Sequence, residues 1–266
     1  MGMIINPYLV QPSSAYGTLT TAWITATGET DTTILGALNT LESDLATYGL
    51  TSKMKALYPF VGGTASKHKY NFMNAQDTDA AFRLVFNGGW THSSTGALPN
   101  GTNGWADTKI NSDATAGIMS QDDSHISFYL RTYTADSTYR QDIAAHPNLY
   151  FSAVYNSNSY PGIIANIYVN GFNGVISNSD ARGYYIGSRT SSTNSVIYKN
   201  GSSVRTDTRT SSNSSGNLYL ASYLGTQEFG NREFSFVSIG TGLTDTEAAN
   251  FYTAVQAFQT TLSRNV

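Results

Sequence analysis

Apolar and polar residues alternate along most of the chain with a period of two. That spacing puts one side of a pleated strand against a core and the other toward solvent. Residues 218–223 (Leu-Tyr-Leu-Ala-Ser-Tyr) and 233–239 (Glu-Phe-Ser-Phe-Val-Ser-Ile) show it. So do Phe82, Leu84 and Phe86, then Ile126, Phe128 and Leu130, then Leu149, Phe151, Ala153 and Tyr155. Two further runs, 163–169 and 196–199, lead into Asn170-Gly171 and Asn200-Gly201. Asn-Gly is a strong hairpin signal, because both central residues of a type I′ turn need positive φ. Strands recur with no helix between them until Thr244, the pattern of an antiparallel sandwich and not of βαβ units.

A helical period appears near each end. Over residues 31–48, Ile34, Leu35, Leu38, Leu41 and Leu45 share one side of a predicted helix, which Gly49 is placed to end. Near the C-terminus, Thr244 followed by Glu247 is a capping box, and Phe251, Val255, Phe258 and Leu262 form one apolar stripe, so a helix should start there and lie on a sheet. Residues 1–28, with Pro7, Pro12 and Gly17 among scattered Tyr8, Tyr16 and Trp23, read as an extended arm. The chain therefore divides into an N-terminal arm and helix over 1–56 and a sandwich over 57–266. The leucine seam suits docking on the sandwich or self-association; Leu38, Leu41 and Leu45 are the candidate attachment and oligomer residues. Two low-charge stretches, 91–113 and 206–216, read as long loops, and loops of that length are functional or mobile.

Composition narrows the function. At 266 residues there is ample material for a core, yet only 12% of residues are charged and the formal net charge is −3. Lys53, Lys55, Lys67 and Lys69 are too few and too mixed for a nucleic-acid footprint. With no cysteine there is neither a disulfide scaffold nor a thiolate metal site. Residues 1–10 lack the basic start and apolar run of a signal peptide, and no segment approaches a membrane span, so synthesis without secretion is expected.

Candidate chemistry is sparse. Glycoside hydrolysis needs paired carboxylates facing one groove, and the predicted strands carry no such pair; Glu228 and Glu233 flank a turn, while Asp77 and Asp79 precede a strand where they cap or turn the chain. The chain is therefore expected not to be an enzyme. His68, His92, His125 and His146 lack metal-ligand spacing. No phosphate loop or nucleophile elbow is present. Cofactors are not expected, with calcium the one exception. Asn103, Asp107, Asn111 and Asp113 crowd one loop, and Asp107 with Asp113 are its candidate ligands, set against the reading as a solvated turn cluster. Recognition remains: Trp90, His92, Asn103 and Trp105 put aromatic rings beside amides and hydroxyls, the combination that stacks on a sugar and bonds its hydroxyls, set against a purely anchoring role.

Two resemblances follow from these residues. Residues 195–201 (Ser-Val-Ile-Tyr-Lys-Asn-Gly), the strands at 218–223 and 234–240, and the Leu243-Thr244-x-x-Glu247 helix start resemble the closing strands of a concanavalin A-like or laminin-G-like jelly roll. That implies a mainly β, antiparallel jelly-roll sandwich with an N-terminal helix and a C-terminal capped helix. Residues 57–65, His68-Lys69, 77–84 and 86–92 resemble a segment of tailed-bacteriophage structural proteins. This second resemblance implies a virion component made in the bacterial host cytoplasm, a capsid decoration or a head or tail fibre, with other virion proteins and copies of itself as partners. What such proteins bind is not settled by the resemblance; weak glycan binding through the sandwich loops is the expectation from the aromatic and amide residues above, and composition argues against nucleic acid and membrane as partners. The alternatives are a tail adhesin of lectin type and, behind it, a glycoside hydrolase.

Overall fold

The computed structural model describes residues 16–157, 160–172 and 174–266. Helices α1 (Thr18–Thr27) and α2 (Thr32–Thr47) lead into β1 (Met54–Tyr58), and a short helical turn, α3 (Ala65–His68), follows. Next come β2 (Val85–Asn87), β3 (Trp90–Ser93), β4 (Gly96–Pro99), β5 (Trp105–Asn111), β6 (Ser124–Leu130), β7 (Ile143–Ala145), β8 (Leu149–Ser157) and β9 (Tyr160–Ile167). The chain closes with β10 (Ile176–Ser177), β11 (Gly183–Ser191), β12 (Asn194–Lys199), β13 (Ser202–Asp207), β14 (Asn217–Leu220), β15 (Phe234–Gly240) and α4 (Asp245–Thr261).

The strands form two antiparallel sheets packed as a jelly-roll sandwich. One has eight strands in the order β13-β12-β11-β6-β15-β4-β3, with β1 also on β15; the other has seven, in the order β10-β9-β8-β7-β14-β5-β2. Phe128, Phe151, Ile167, Tyr185, Leu218, Leu220, Phe234 and Val237 meet in the apolar layer between them. A second apolar layer covers the outer side of the eight-stranded sheet, where Tyr129, Tyr184, Ile186 and Phe236 pack under Trp23, Leu38, Leu41, Leu45, Phe251, Val255 and Phe258 of the helices. The order of layers is helices, eight-stranded sheet, core, seven-stranded sheet.

Both expected helix starts are present. Asp31 caps α2 by accepting from the N–H groups of Thr33 and Ile34. Thr244 and Glu247 close the full capping box on α4. Gly49, at φ +68°, lets the chain turn off α2 where an L side chain would be strained.

Five expectations need correction. The arm reading fails over residues 18–27, which are helical, while residues 1–15 lie outside the described residues. Leu38, Leu41 and Leu45 are 0–1% exposed inside the chain's own core, so they cannot serve as an oligomer contact. Residues 91–113 are not one long loop, because β3, β4 and β5 fall within them. The strand expected from Phe82 begins only at Val85, since Phe82 takes φ +58° at the end of a 3-10 turn. Of the two Asn-Gly pairs, Asn200-Gly201 makes the β12–β13 turn with φ +49° and +78°. Asn170-Gly171 instead lies in a longer connection from β9 to β10.

Candidate functional site

Among the described residues no helix covers the outer side of the seven-stranded sheet, and its side chains surround a groove of about 250 Å³. Gln141, Tyr150, Tyr155, Ile164, Phe172, Tyr223 and Glu228 line it. A neighbouring hollow of about 380 Å³, lined by Pro161, Val175, Ser177 and Ser179, shares Phe172 with it. Phe172 is 64% exposed and Tyr139 48%, large apolar exposures for side chains of this size. Tyr139 stacks on Tyr155 with ring centroids 4.7 Å apart and planes 15° from parallel.

A bulge explains how Tyr155 comes to face this groove. Strict alternation from Leu149, Phe151 and Ala153 would send Tyr155 into the core. The β8–β9 register shifts between Ser152 and Tyr155 instead, so Ala153 and Val154 both join the core and Tyr155 turns outward with Tyr150. A bulge takes backbone groups out of the ladder, and buried side chains take over those bonds. Asp142 Oδ2 accepts from the Ala153 N–H at 2.7 Å, Asn178 Nδ2 donates to the Ala153 carbonyl at 2.7 Å, and Arg232 donates to the Val154 carbonyl. Asp142 and Arg232 pair at 2.8 Å with side chains 0% and 1% exposed. This buried ion pair holds the strand irregularity on which the groove depends.

The loop from Ala221 to Gly230 delivers the rest. Ala221, Leu224 and Glu228 take φ of +60°, +62° and +55°, left-handed values that cost a side-chain-bearing residue on the order of 1–2 kcal/mol each. Such conformations gather where a particular side-chain placement is enforced. The loop is fixed by Tyr223 N–H to the Gln227 carbonyl at 2.9 Å and Gly230 N–H to the Ala221 carbonyl at 2.8 Å. Ser222 Oγ donates to the Gln227 carbonyl at 2.8 Å. The Gln141 N–H donates to the Glu228 carbonyl at 2.9 Å, which ties loop to groove. On the other rim, the segment carrying Phe172 is held by Asn166 Nδ2, which donates to the carbonyls of Val169 at 2.8 Å and Gly171 at 2.6 Å. Arg205 adds a bond to the Gly174 carbonyl at 3.2 Å.

Inside the groove the Tyr155 hydroxyl donates to Glu228 Oε1 at 3.3 Å, and the Tyr223 hydroxyl is hydrogen-bonded to His146 Nδ1. Burial first, then the Glu228 charge, push the Tyr155 and Tyr223 phenols above their ordinary range. Burial also raises Tyr150, with Tyr223 adding to it and Arg209 and Arg205 opposing it. The phenols therefore remain protonated donors at neutral pH. Glu228 is the single carboxylate among the lining residues. An acid–nucleophile pair of the glycosidase kind requires two.

The four residues expected to contact sugar are not gathered on one platform. Trp90 is half-buried against the core, beside Phe86 and Phe234, and its indole N–H donates to the Asn87 and Trp105 carbonyls, both at 3.1 Å. His92 lies against Phe86 and Trp90 and is hydrogen-bonded through Nδ1 to His68 Nδ1 at 2.9 Å. Burial, followed by the charges of His92 and Arg264, holds His68 down at about 3. Asn103 Oδ1 accepts from Gly89 N–H and Asn100 Nδ2, which stabilises a turn. Trp105 is edge-on to Tyr219, its ring 3.3 Å from where a Cβ on Gly225 would sit, so it supports the loop that presents Tyr223 and Glu228.

The proposed calcium ligands have other work. Asp107 accepts from Asn217 Nδ2 at 3.0 Å and Lys109 N–H at 2.8 Å, and pairs with Lys109 Nζ at 3.1 Å. Asp113 caps a 3-10 turn through Thr115 N–H and accepts from Asn213 Nδ2 at 2.8 Å. Among the described residues no three His, Asp or Glu side chains converge as a metal site would require. The residues that do form the groove carry a signal legible after the fact: an aromatic set spread over Tyr150, Tyr155, Phe172 and Tyr223, close to turns or a strand irregularity, with Tyr139 stacked on Tyr155.

Neither a family model nor a curated protein sequence matches the chain. Solved structures do. Botulinum neurotoxin type C, a toxin that enters cells through interaction with two ganglioside molecules, superposes with TM-score 0.51 at 11% identity over 79% of this chain and 53% of that one. The binding domain of Paraclostridial Mosquitocidal Protein 1 gives 0.50 at 10% identity over 76% and 52%. Domain 4 of an extracellular arabinanase from Geobacillus stearothermophilus, in complex with arabinotriose, gives 0.48 at 13% identity over 75% and 98%. The chain spans about half the length of the two toxin structures. At these identities the likeness is one of fold, a β-sandwich.

Proposed function

We propose that the chain is a non-catalytic glycan-binding module whose site is the groove on the uncovered side of the seven-stranded sheet. The observation that carries this is the set of rings from Tyr150, Tyr155, Tyr223 and Phe172 around the polar tips of Gln141 and Glu228. Rings stack on the apolar side of a sugar while amide and carboxylate oxygens take its hydroxyl protons. The fold-level likeness to toxin binding domains agrees with that reading. The Tyr155–Glu228 pair has the groups a hydrolase would use, a phenol nucleophile with a base, but no second acid is among the residues lining the groove to protonate a leaving group.

The setting proposed for this module is the surface of a phage particle, as a capsid decoration or a tail adhesin. Its support is the resemblance of residues 57–65, His68-Lys69, 77–84 and 86–92 to a segment of tailed-phage structural proteins. Many copies on one particle would turn weak single sites into useful avidity. Mass spectrometry of purified particles should find the chain in many copies in the decoration case and in few in the adhesin case; its absence from particles ends this part of the reading.

The site itself is tested on a glycan array followed by calorimetry. The parent should bind at least one glycan class without releasing product. Tyr155→Ala and Tyr223→Ala should each weaken that binding about tenfold or more, and Trp90→Ala should cost stability in preference to affinity. A parent that binds no glycan, or binding that survives both tyrosine replacements, removes the proposal.

A further inference from the structure

Resting on the reading of the groove as a glycan site, we infer that it is selective for glycans carrying a protonated amino group, that is, unacetylated hexosamine, over neutral and acidic sugars. The phenols of the groove can donate to a ligand, but its one charged lining group, Glu228, is an acceptor with few donors of its own. Glu228 accepts only a long 3.3 Å bond from the Tyr155 hydroxyl and forms no salt bridge among the described residues. The side-chain carbonyl oxygen of Gln141, a lining residue 4% exposed, is buried without a hydrogen-bond donor among the described residues, which adds to the acceptor character beneath the groove.

The rings point to the same ligand chemistry. Aromatic faces present negative charge density, and Tyr150, Tyr155, Tyr223 and Phe172 surround the one carboxylate. An ammonium placed there gains a charge-assisted hydrogen bond to Glu228 and attraction to the rings, whereas a hydroxyl gains only the neutral bond. The neighbouring guanidinium groups are committed: Arg140 pairs with Asp136 at 2.6 Å, Arg205 donates to the carbonyls of Ala165 at 2.8 Å and Gly174 at 3.2 Å, and Arg209 pairs with Asp207 at 2.8 Å. A sugar carboxylate would therefore meet Glu228 with no guanidinium free to receive it.

The test is calorimetry near pH 6 with four oligosaccharides: a β-1,4 glucosamine oligomer, its N-acetylated form, the matching glucose oligomer and a sialylated oligosaccharide. The glucosamine oligomer should bind about tenfold tighter than the glucose oligomer, with the sialylated one weakest. Raising the salt should shrink the preference, and acetylation of the amine should remove it without any change to the protein. In Glu228→Gln, shown to be folded by its melting curve, the ratio of glucosamine to glucose affinity should collapse toward one. Equal affinity of the parent for these two oligomers, or a preference for the sialylated one, overturns the inference while leaving the glycan reading in place. No binding of any oligosaccharide overturns both.

Discussion

The outer sides of the two sheets began from the same alternating pattern and met different ends. On the eight-stranded sheet, Tyr129, Tyr184 and Phe236 disappear beneath α2 and α4, and the Tyr184 hydroxyl is hydrogen-bonded to Ser127 inside that layer. On the seven-stranded sheet, Tyr150, Tyr155 and Tyr223 stay at the surface around one carboxylate. Rings on the covered side are used up in cohesion, while those on the open side are held in place by hydrogen bonds and ion pairs beneath them. An aromatic row says that a surface will be apolar; whether it becomes core or contact is decided by which sheet the helices cover.

The largest effect expected on this contrast comes from the support under the open side. Asp142→Ala leaves the Arg232 guanidinium buried without its partner and the Ala153 N–H without its acceptor. Breaking a pair so buried costs about 3–5 kcal/mol. Urea melts should show that loss, and at temperatures where the variant remains folded, glycan affinity should fall as well, because the bulge that turns Tyr155 outward loses its bonds. A variant that is destabilised yet binds normally would uncouple the groove from the ion pair. On the covered side, Leu38→Ala should cost about 2–5 kcal/mol by opening a cavity among Leu41, Leu45 and the α4 side chains, with binding per folded molecule unchanged. Its oligomeric state by light scattering should match the parent, since Leu38 is 0% exposed within one chain.

These two variants also mark what could be read before the fold was known. The α2 stripe, the capping box at Thr244 and Glu247 and the Asn200-Gly201 turn were legible because each is decided by neighbours within a few residues. Helix α1 was not: Thr-Leu-Thr-Thr-Ala-Trp-Ile-Thr-Ala-Thr is a poor helix former. Its free N–H groups at Leu19 and Thr20 are capped by Glu42 of α2 at 3.0 Å, with Asn39 Oδ1 accepting from Gly17 at 2.8 Å. Such caps come from a different element and leave no local trace. The groove was hidden for a related reason. Periodicity grouped Tyr155 with Leu149, Phe151 and Ala153, and only the bulge, enforced by Asp142 and Arg232 some ten and eighty residues away in sequence, separates them. Trp90 and Trp105 drew attention by residue type, yet the strands at 90–93 and 105–111 turn them into different surroundings.

Acid should act on the covered side before the open one. His125 lies under α4 against Phe251, with Nδ1 hydrogen-bonded to the Thr241 carbonyl at 2.6 Å and Nε2 to Ser238 Oγ at 2.9 Å. Burial is the main cause that holds it down at about 4. Since an unfolded histidine titrates near 6.5, the unfolded chain binds the extra proton between about pH 6.5 and 4, so stability falls as pH falls through that window and the loss levels off below it. The slope from this residue approaches about 1.4 kcal/mol per pH unit. Denaturant melts from pH 7 to 4 on parent and His125→Gln should show the variant losing less stability over the window; equal slopes would mean that His125 is protonated in the folded chain.

The smallest stability effect is expected on the open side, at Tyr139. Its side chain is half exposed, at 48%, and its ring stacks on Tyr155. Tyr139→Ala should therefore change folding stability by no more than about 0.5–1 kcal/mol, the range of one aromatic pair near the surface. Its effect on affinity depends on what the stack is for. If Tyr139 only rests on Tyr155, freeing the lower ring leaves the Glu228 hydrogen bond in place and binding follows the parent. If the stacked pair is the wall on which a sugar lies, removing its outer member lets Tyr155 swing and weakens every glycan by a similar factor of several-fold, without altering the preference between amino and neutral sugars. Stability near that of the parent combined with such a uniform loss would show that rings on this side are kept for a ligand, because nothing in the packing of the chain would miss them.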